Sequence, residues 1–557
     1  MLSPSSSSPL LRLPRELRDI IYGFYLAVDG GYVYDFRTGK LRGADAPDRP
    51  IDLALTFTCR QIAAEMRGVA LGVNTIHFRT YSAPDVNLIA WQLDEVLGQC
   101  FYEANAQLAK YTPGEPPRYA DLPRFDKSVY EQLLCRFPDC QPLAELVAAM
   151  DKGLPPLDTR QRVQNIRFWL RQDFSRWREV ESVERDIVYS ALKIACDSGH
   201  VNFWEIGFRD ILEDNHGSHM MTPPDVLDIV STLMPWAVPT RQEIISAVNK
   251  QDKDVSEKAQ SGRLPRGRRY YFSAAAVAIK FLQETPSSTR SSIRKIVLHE
   301  DRVSVAWPEC HAKGFIPFCL EHPLLYIERR VDLWHTMISQ QTVDYSLEFN
   351  LINKDWSLSD PDELSSSISV WLEEAAELSR AGMPAQSFRL VVDGSAAPGK
   401  AFEVFQRLQG DAAWQEAFET VANLPLSRMR GSECWISLHF PEIMRGLASN
   451  DSFFPVRCNF SIGDTWDAAS IIQENRNIPP VEWWKVWEDR KPDSSLYMPD
   501  QSFRKVLLRL YYDEEHHWRY LQEDGQEDWQ QGTDDLDAEI ERCYVQVPYP
   551  YVGMQPE

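Results

Sequence analysis

No GxSxG elbow, HExxH pair, Walker loop or GxGxxG turn appears in the sequence. The compact signatures of acyl transfer, zinc proteolysis and nucleotide binding are therefore missing. Without such an anchor the scattered His and Cys residues define no dyad, and the chain is expected not to be an enzyme and to need no cofactor. CxxC pairs are also lacking. Ten Cys spread over 557 residues are the pattern of reduced, mostly buried thiols, not of a disulfide framework. Long apolar runs are absent too: the most apolar stretch, 270–282, contains Lys280 and is well short of the ~20 residues that cross a bilayer. The opening MLSPSSSSPLLRLPRELR has no charged region ahead of an apolar one, so no secretory leader or membrane partner is expected. The expected compartment is cytosol, nucleus or both. Positive charge is scarce, with 59 Lys plus Arg against 81 Asp plus Glu and a net charge of −22. Such a surface repels phosphate backbones, which argues against nucleic acid as a partner.

What the chain does contain is apolar area. Hydrophobic residues make up 44%, with 17 Trp, 25 Phe and 21 Tyr, enough to bury substantial cores over several folding units of roughly 150 residues each. Helical spacing runs through 86–111, 183–195, 240–248, 363–378 and 503–521, while 163–170, 293–298, 388–392 and 435–440 read as short strands. Strands become more frequent after about residue 290. This predicts an α+β fold with a mainly helical N-terminal half: a small helical module at 10–80, a mainly helical region at 81–290, and a large α+β region at 291–557. Within the last, 513–541 is acidic.

The module carries the most consistent local signals. Pro14 suits a first helical position and Glu16 a first turn. Leu13, Leu17, Ile20, Ile21 and Phe24 form one apolar stripe, with Arg15, Arg18 and Asp19 on the other face. Thr58 with Gln61 predicts a capping box opening a second helix, striped by Ile62, Met66, Val69, Ala70 and Val73. Asn74 to Phe78 then leave as a turn and an extended run.

Leu13-Pro14-x-Glu16-Leu17-x-x-x-Ile21, followed by Leu53-x-Leu55-x-x-Thr58-Cys59-Arg60-Gln61-Ile62, resembles the F-box. It looks most like fungal F-box-like modules with an LPxELRxxIY start, a TCRQI helix and an NTxxF ending. The resemblance covers about residues 10–80. It implies a module that docks on the Skp-type adaptor of a cullin ubiquitin ligase, leaving the remainder to hold an unknown protein substrate. Leu13, Pro14, Leu17, Ile20 and Ile21 would then make the adaptor contacts, and 59–62 would support the second helix. The alternative is a scaffold protein in which the F-box-like unit is purely structural. This sequence departs from the family in the insertion between the two motifs, where Tyr32 to Phe36 with Gly39 reads as a hairpin.

Elsewhere, His216 and His219 in EDNHGSH lack a third ligand at a defined spacing and read as an exposed loop. Cys310, His311, Cys319 and His322 count out four zinc donors, but the spacing fits no usual finger and the flanking residues are apolar. They read as buried structural groups, and no metal site is assigned. The basic run at 262–269 reads as a solvated linker. Trp483 and Trp487 share a helical face and read as a packing seam.

Overall fold

The computed structural model describes residues 8–45, 51–109, 127–151, 179–198, 221–250, 269–338, 361–422, 436–449, 451, 453–479 and 482–489. The fold is mixed α+β, and among the described residues one sheet of seven strands organises it. Its strands are β1 (Tyr32–Asp35), β2 (Lys40–Gly43), β3 (Thr75–Arg79), β4 (Lys295–Glu300), β5 (Tyr326–Asp332), β6 (Phe388–Asp393) and β7 (Val456–Cys458), in the spatial order β2-β1-β3-β4-β5-β6-β7. Only the β1–β2 hairpin is antiparallel; every other neighbour is parallel. The hairpin expected in the insertion is present, turned at Gly39 with φ +66°, a region that glycine enters without steric cost.

From β3 to β7 the order never reverses. Right-handed crossovers between successive parallel strands therefore place their helices on one face. On that face Ile76, Ile296, Ile327 and Phe388 lie in register, followed by Phe78, Leu298, Arg329 and Leu390. Alternation along each strand makes this row structure, and its apolar members are buried in the main core.

Among the described residues the helices are α1 (Arg15–Leu26), α2 (Arg60–Glu65), α3 (Val69–Val73), α4 (Pro84–Ala109), α5 (Lys127–Arg136), α6 (Gln141–Asp151), α7 (Glu181–Asp197), α8 (Pro223–Thr232), α9 (Arg241–Val248), α10 (Ala274–Glu284), α11 (Ser287–Arg290), α12 (Ile316–Glu321), α13 (Pro361–Glu377), α14 (Pro398–Ala422), α15 (Phe440–Ala448), α16 (Ala468–Glu474) and α17 (Trp483–Asp489). The apolar stretch at 270–282 is mostly α10, whose Ala274 to Ala278 are buried in the protein core. Phe281 of α10 meets Phe78 at 5.4 Å between ring centroids and Tyr34 at 5.1 Å. No described helix is long and apolar enough to cross a membrane. Capping explains several starts. Thr240 and Glu243 form a reciprocal capping box on α9, and Ser273 accepts from the Ala276 amide to start α10.

Three expectations need correction. The run at 435–440 is not a strand: 436–439 are irregular and Phe440 opens α15. The second helix of the module is two short ones, because Gly68 takes φ +79° and breaks the run between α2 and α3. Its N-cap is Cys59, whose Sγ accepts from the Ile62 amide at 3.5 Å, whereas the Thr58 hydroxyl donates to the Leu55 carbonyl. No Thr58–Gln61 capping box forms. Strands β5 and β7 went unread. The segments 163–170, 213–219, 262–268, 503–521 and 513–541 lie outside the described residues.

A buried ion pair ties sheet to helices. Arg329 on β5 donates to Glu300 on β4 from Nε at 2.9 Å and Nη2 at 2.8 Å, and also to the carbonyls of Pro308 and Glu309. Glu300 in turn accepts from the Ala274 and Ala275 amides at the start of α10, at 2.8 and 3.1 Å. The pair is hydrogen-bonded on both sides, the condition under which buried charges are tolerated, and the guanidinium stacks over Trp371 of α13 at 4.8 Å.

Candidate functional site

The first helix is anchored by its charged face. Arg18, Tyr22 and Leu26 are its buried residues. Arg18 Nε and Nη2 donate to the two carboxylate oxygens of Glu65 on α2, at 2.9 and 2.7 Å, and the Tyr22 hydroxyl adds a third bond at 2.8 Å. Gln61 completes the carboxylate's shell at 3.0 Å. These bonds, with Arg18 the largest influence and Gln61 next, hold Glu65 at about 2, far below the ordinary carboxylate range. Asn74 closes the other end. Its side-chain amide donates to the Leu26 and Ala70 carbonyls at 2.7 and 2.8 Å while its oxygen accepts from the Val28 amide at 2.8 Å. Pro14 is the N-cap, one place before the first helical position.

With Arg18, Tyr22 and Leu26 turned inward, the apolar stripe faces out. Leu17 is 48% exposed, Ile20 56% and Phe24 81%, and Ile21 is exposed as well. The turn before α2 adds Leu53 and Phe57, the latter 81% exposed, and is drawn onto α1 by the Leu55 amide donating to the Tyr25 hydroxyl at 3.3 Å. Of the five residues singled out for adaptor contact, Leu17, Ile20 and Ile21 stand on this face, Pro14 is exposed at its start, and Leu13 is half-buried with its carbonyl engaged by Arg18. The β1–β2 hairpin pairs into the sheet through β3. Exposed large apolar side chains at consecutive i, i+3, i+4 and i+7 positions are what a helix offers a partner groove.

Cys310, His311, Cys319 and His322 do not converge. Ser273 Oγ and the Ala306 carbonyl bracket the His311 imidazole, each at 2.7 Å, and burial lowers it to about 3. Burial pushes the Cys310 and Cys319 thiols up to about 12. His322 instead meets the Ile293 carbonyl at 3.0 Å. Among the described residues no group of three or more His, Cys, Asp or Glu side chains is placed to hold a metal ion.

One pattern escaped the sequence reading. Gly394 to Lys400 has the glycine–lysine spacing of a phosphate loop and runs from the end of β6 into the first turn of α14. It departs from that motif at Ala401, where a hydroxyl would meet the metal. Its amides are already committed as well: the Gly394 amide to Asn459 and the Ser395 amide to Asp393, both at 3.0 Å.

Comparison with known proteins adds no family to this geometry: no family model, curated protein or solved structure matches the chain.

Proposed function

We propose that this chain is an F-box-like interaction protein, the substrate-recognition subunit of a Skp–cullin–F-box type ubiquitin ligase, with no catalysis of its own. In this reading α1 docks in a groove of a Skp-type adaptor through Leu17, Ile20 and Ile21, flanked by Leu13 and Pro14, and the sheet-centred body carries a protein substrate. The observation that supports it is the outward stripe on a helix whose opposite face is locked by Arg18, Tyr22 and Glu65. A helix that buried Leu17 and Ile20 in its own core would have nothing left to offer.

The scaffold reading draws on a different observation: β1 and β3 continue the body's own sheet, as a purely structural unit would. The two separate on binding. Buried aliphatic anchors carry roughly 2 kcal/mol or more each, so Leu17→Asp or Ile20→Asp should weaken co-purification with the Skp-type adaptor at least ~30-fold while leaving the circular dichroism of the full chain unchanged. Wild-type chain that shows no adaptor binding at micromolar concentration removes the ligase reading.

A further inference from the structure

The face of the sheet opposite the helices has a charge unlike the rest of the molecule. By alternation it presents Lys40, Arg42, Arg79, Lys295, Arg330, Arg389 and Arg457 against Asp35, Glu328, Asp332 and Asp393. Glu328 is shared by Arg330 at 2.6 Å and Lys295 at 3.3 Å, and Asp35 is paired with Arg42 at 2.9 Å, so seven basic against four acidic groups, 7 − 4 = +3, leave the face positive in a chain of net −22. At its centre His77 Nδ1 and His299 Nε2 are 3.0 Å apart. Burial, followed by the nearby Arg330, Lys295 and Arg79 charges, brings His77 down to about 4, and burial also lowers His299. Val297, the register partner of His77 on β4, is only 3% exposed although it belongs to none of the apolar clusters of the described residues. An apolar side chain at the centre of a cationic surface is thus covered, while His77 and His299 beside it stay partly exposed.

We propose that this basic face is the docking site of the chain's own acidic segment, 513–541. That segment has twelve Asp and Glu against one Arg, 1 − 12 = −11, which is half of the whole chain's net charge. The 23 residues between Asp489 and Asp513 reach up to about 75 Å when extended, against about 29 Å across seven strands. Tethering supplies an effective concentration in the millimolar range, so several screened ion pairs, each weak alone, suffice to hold it. An acidic partner seeking the same face must displace the segment. This inference stands independently of the adaptor reading.

Zero-length carbodiimide coupling on the full chain tests it, because Lys295 links only to a carboxylate within ion-pair reach. At low salt Lys295 should couple to carboxylates of 513–541. The yield should collapse in 0.5 M NaCl, where the Debye length is only a few ångströms, and fall about fivefold in Arg79→Gln with Arg389→Gln. The quadruple variant E523Q/D524N/E527Q/D528N leaves the sheet untouched and should give a similar loss. Coupling of Lys295 to Glu328 alone overturns the proposal. So does coupling between isotopically light and heavy copies, which would make the occupant a second copy.

Discussion

Glu373 lies on the last turns of α13, with Glu374 beside it and Glu181 of α7 nearby, and it accepts a hydrogen bond from Ser437. Burial is the main reason its carboxyl is raised to about 8, with the neighbouring carboxylates adding to it. The sign follows from proton counting. The folded state keeps a proton on Glu373 that the unfolded chain releases near its ordinary pKa of about 4.5, so this residue makes stability fall as pH rises from about 4.5 through 8, with the full penalty above that. Glu373→Gln keeps the shape and removes the titration. It should match the wild type near pH 4.5 and be the more stable by roughly 5 kcal/mol at pH 9. Urea midpoints at the two pH values measure this, and a pH-independent difference between the proteins refutes it. Nothing in the local sequence announces such a carboxyl, since Glu373, Glu374 and Glu377 at the end of α13 read as a solvated face until α7 and residues 436–439 close over them.

At the scale of elements, α17 shows how a short helix depends on tertiary contact. Seven residues are too few to be helical alone. Trp483 and Trp487, one turn apart, pack on Trp414 of α14 with ring centroids 6.3 and 6.4 Å away. Trp487 Nε1 also donates to Asp411 Oδ1 at 3.0 Å, while Ser365 donates to the other carboxylate oxygen at 2.7 Å. Trp487→Ala should cost about 3–5 kcal/mol by cavity formation. Trp487→Phe keeps most of the apolar area and strips one donor from a buried carboxylate, so about 1–3 kcal/mol is expected. Chemical denaturation gives both values, and equal losses for the two variants would mean that the ring contacts contribute little. The pairing of these tryptophans was legible from their spacing, as were the hairpin, α9, α13 and β6. Strand β5 was not, because Arg329 occupies a core-facing position where an apolar residue is expected and its partner Glu300 lies on another strand. The inward side of α1 was hidden for the same reason: Arg18 reads as solvent-facing until Glu65 is placed opposite it.

For the whole molecule the decisive feature is pairing at long range. The boundary near residue 80 is where the F-box resemblance ends, yet β3 pairs along its length with β4, bringing together His77 and His299, 222 residues apart. Local pattern carries no trace of such a contact, because period and capping report only on neighbours in sequence. The sheet makes residues 8–79 a supplier of strands β1 to β3 as well as of the exposed α1 stripe. It also orders folding, since β3 has no parallel partner on its β4 side until α10 and β4 exist, a high-contact-order closure that slows assembly. Removing the first 79 residues should then do more than delete a docking helix. It bares the β4 edge of a parallel sheet and uncovers the helix-facing Ile296 and Leu298, a template for aggregation. The fragment 80–557 is therefore expected to aggregate or to melt without cooperativity. A monomeric fragment on size exclusion with a sharp thermal transition would show that the sheet closes without its first three strands and that the N-terminal unit is separable after all.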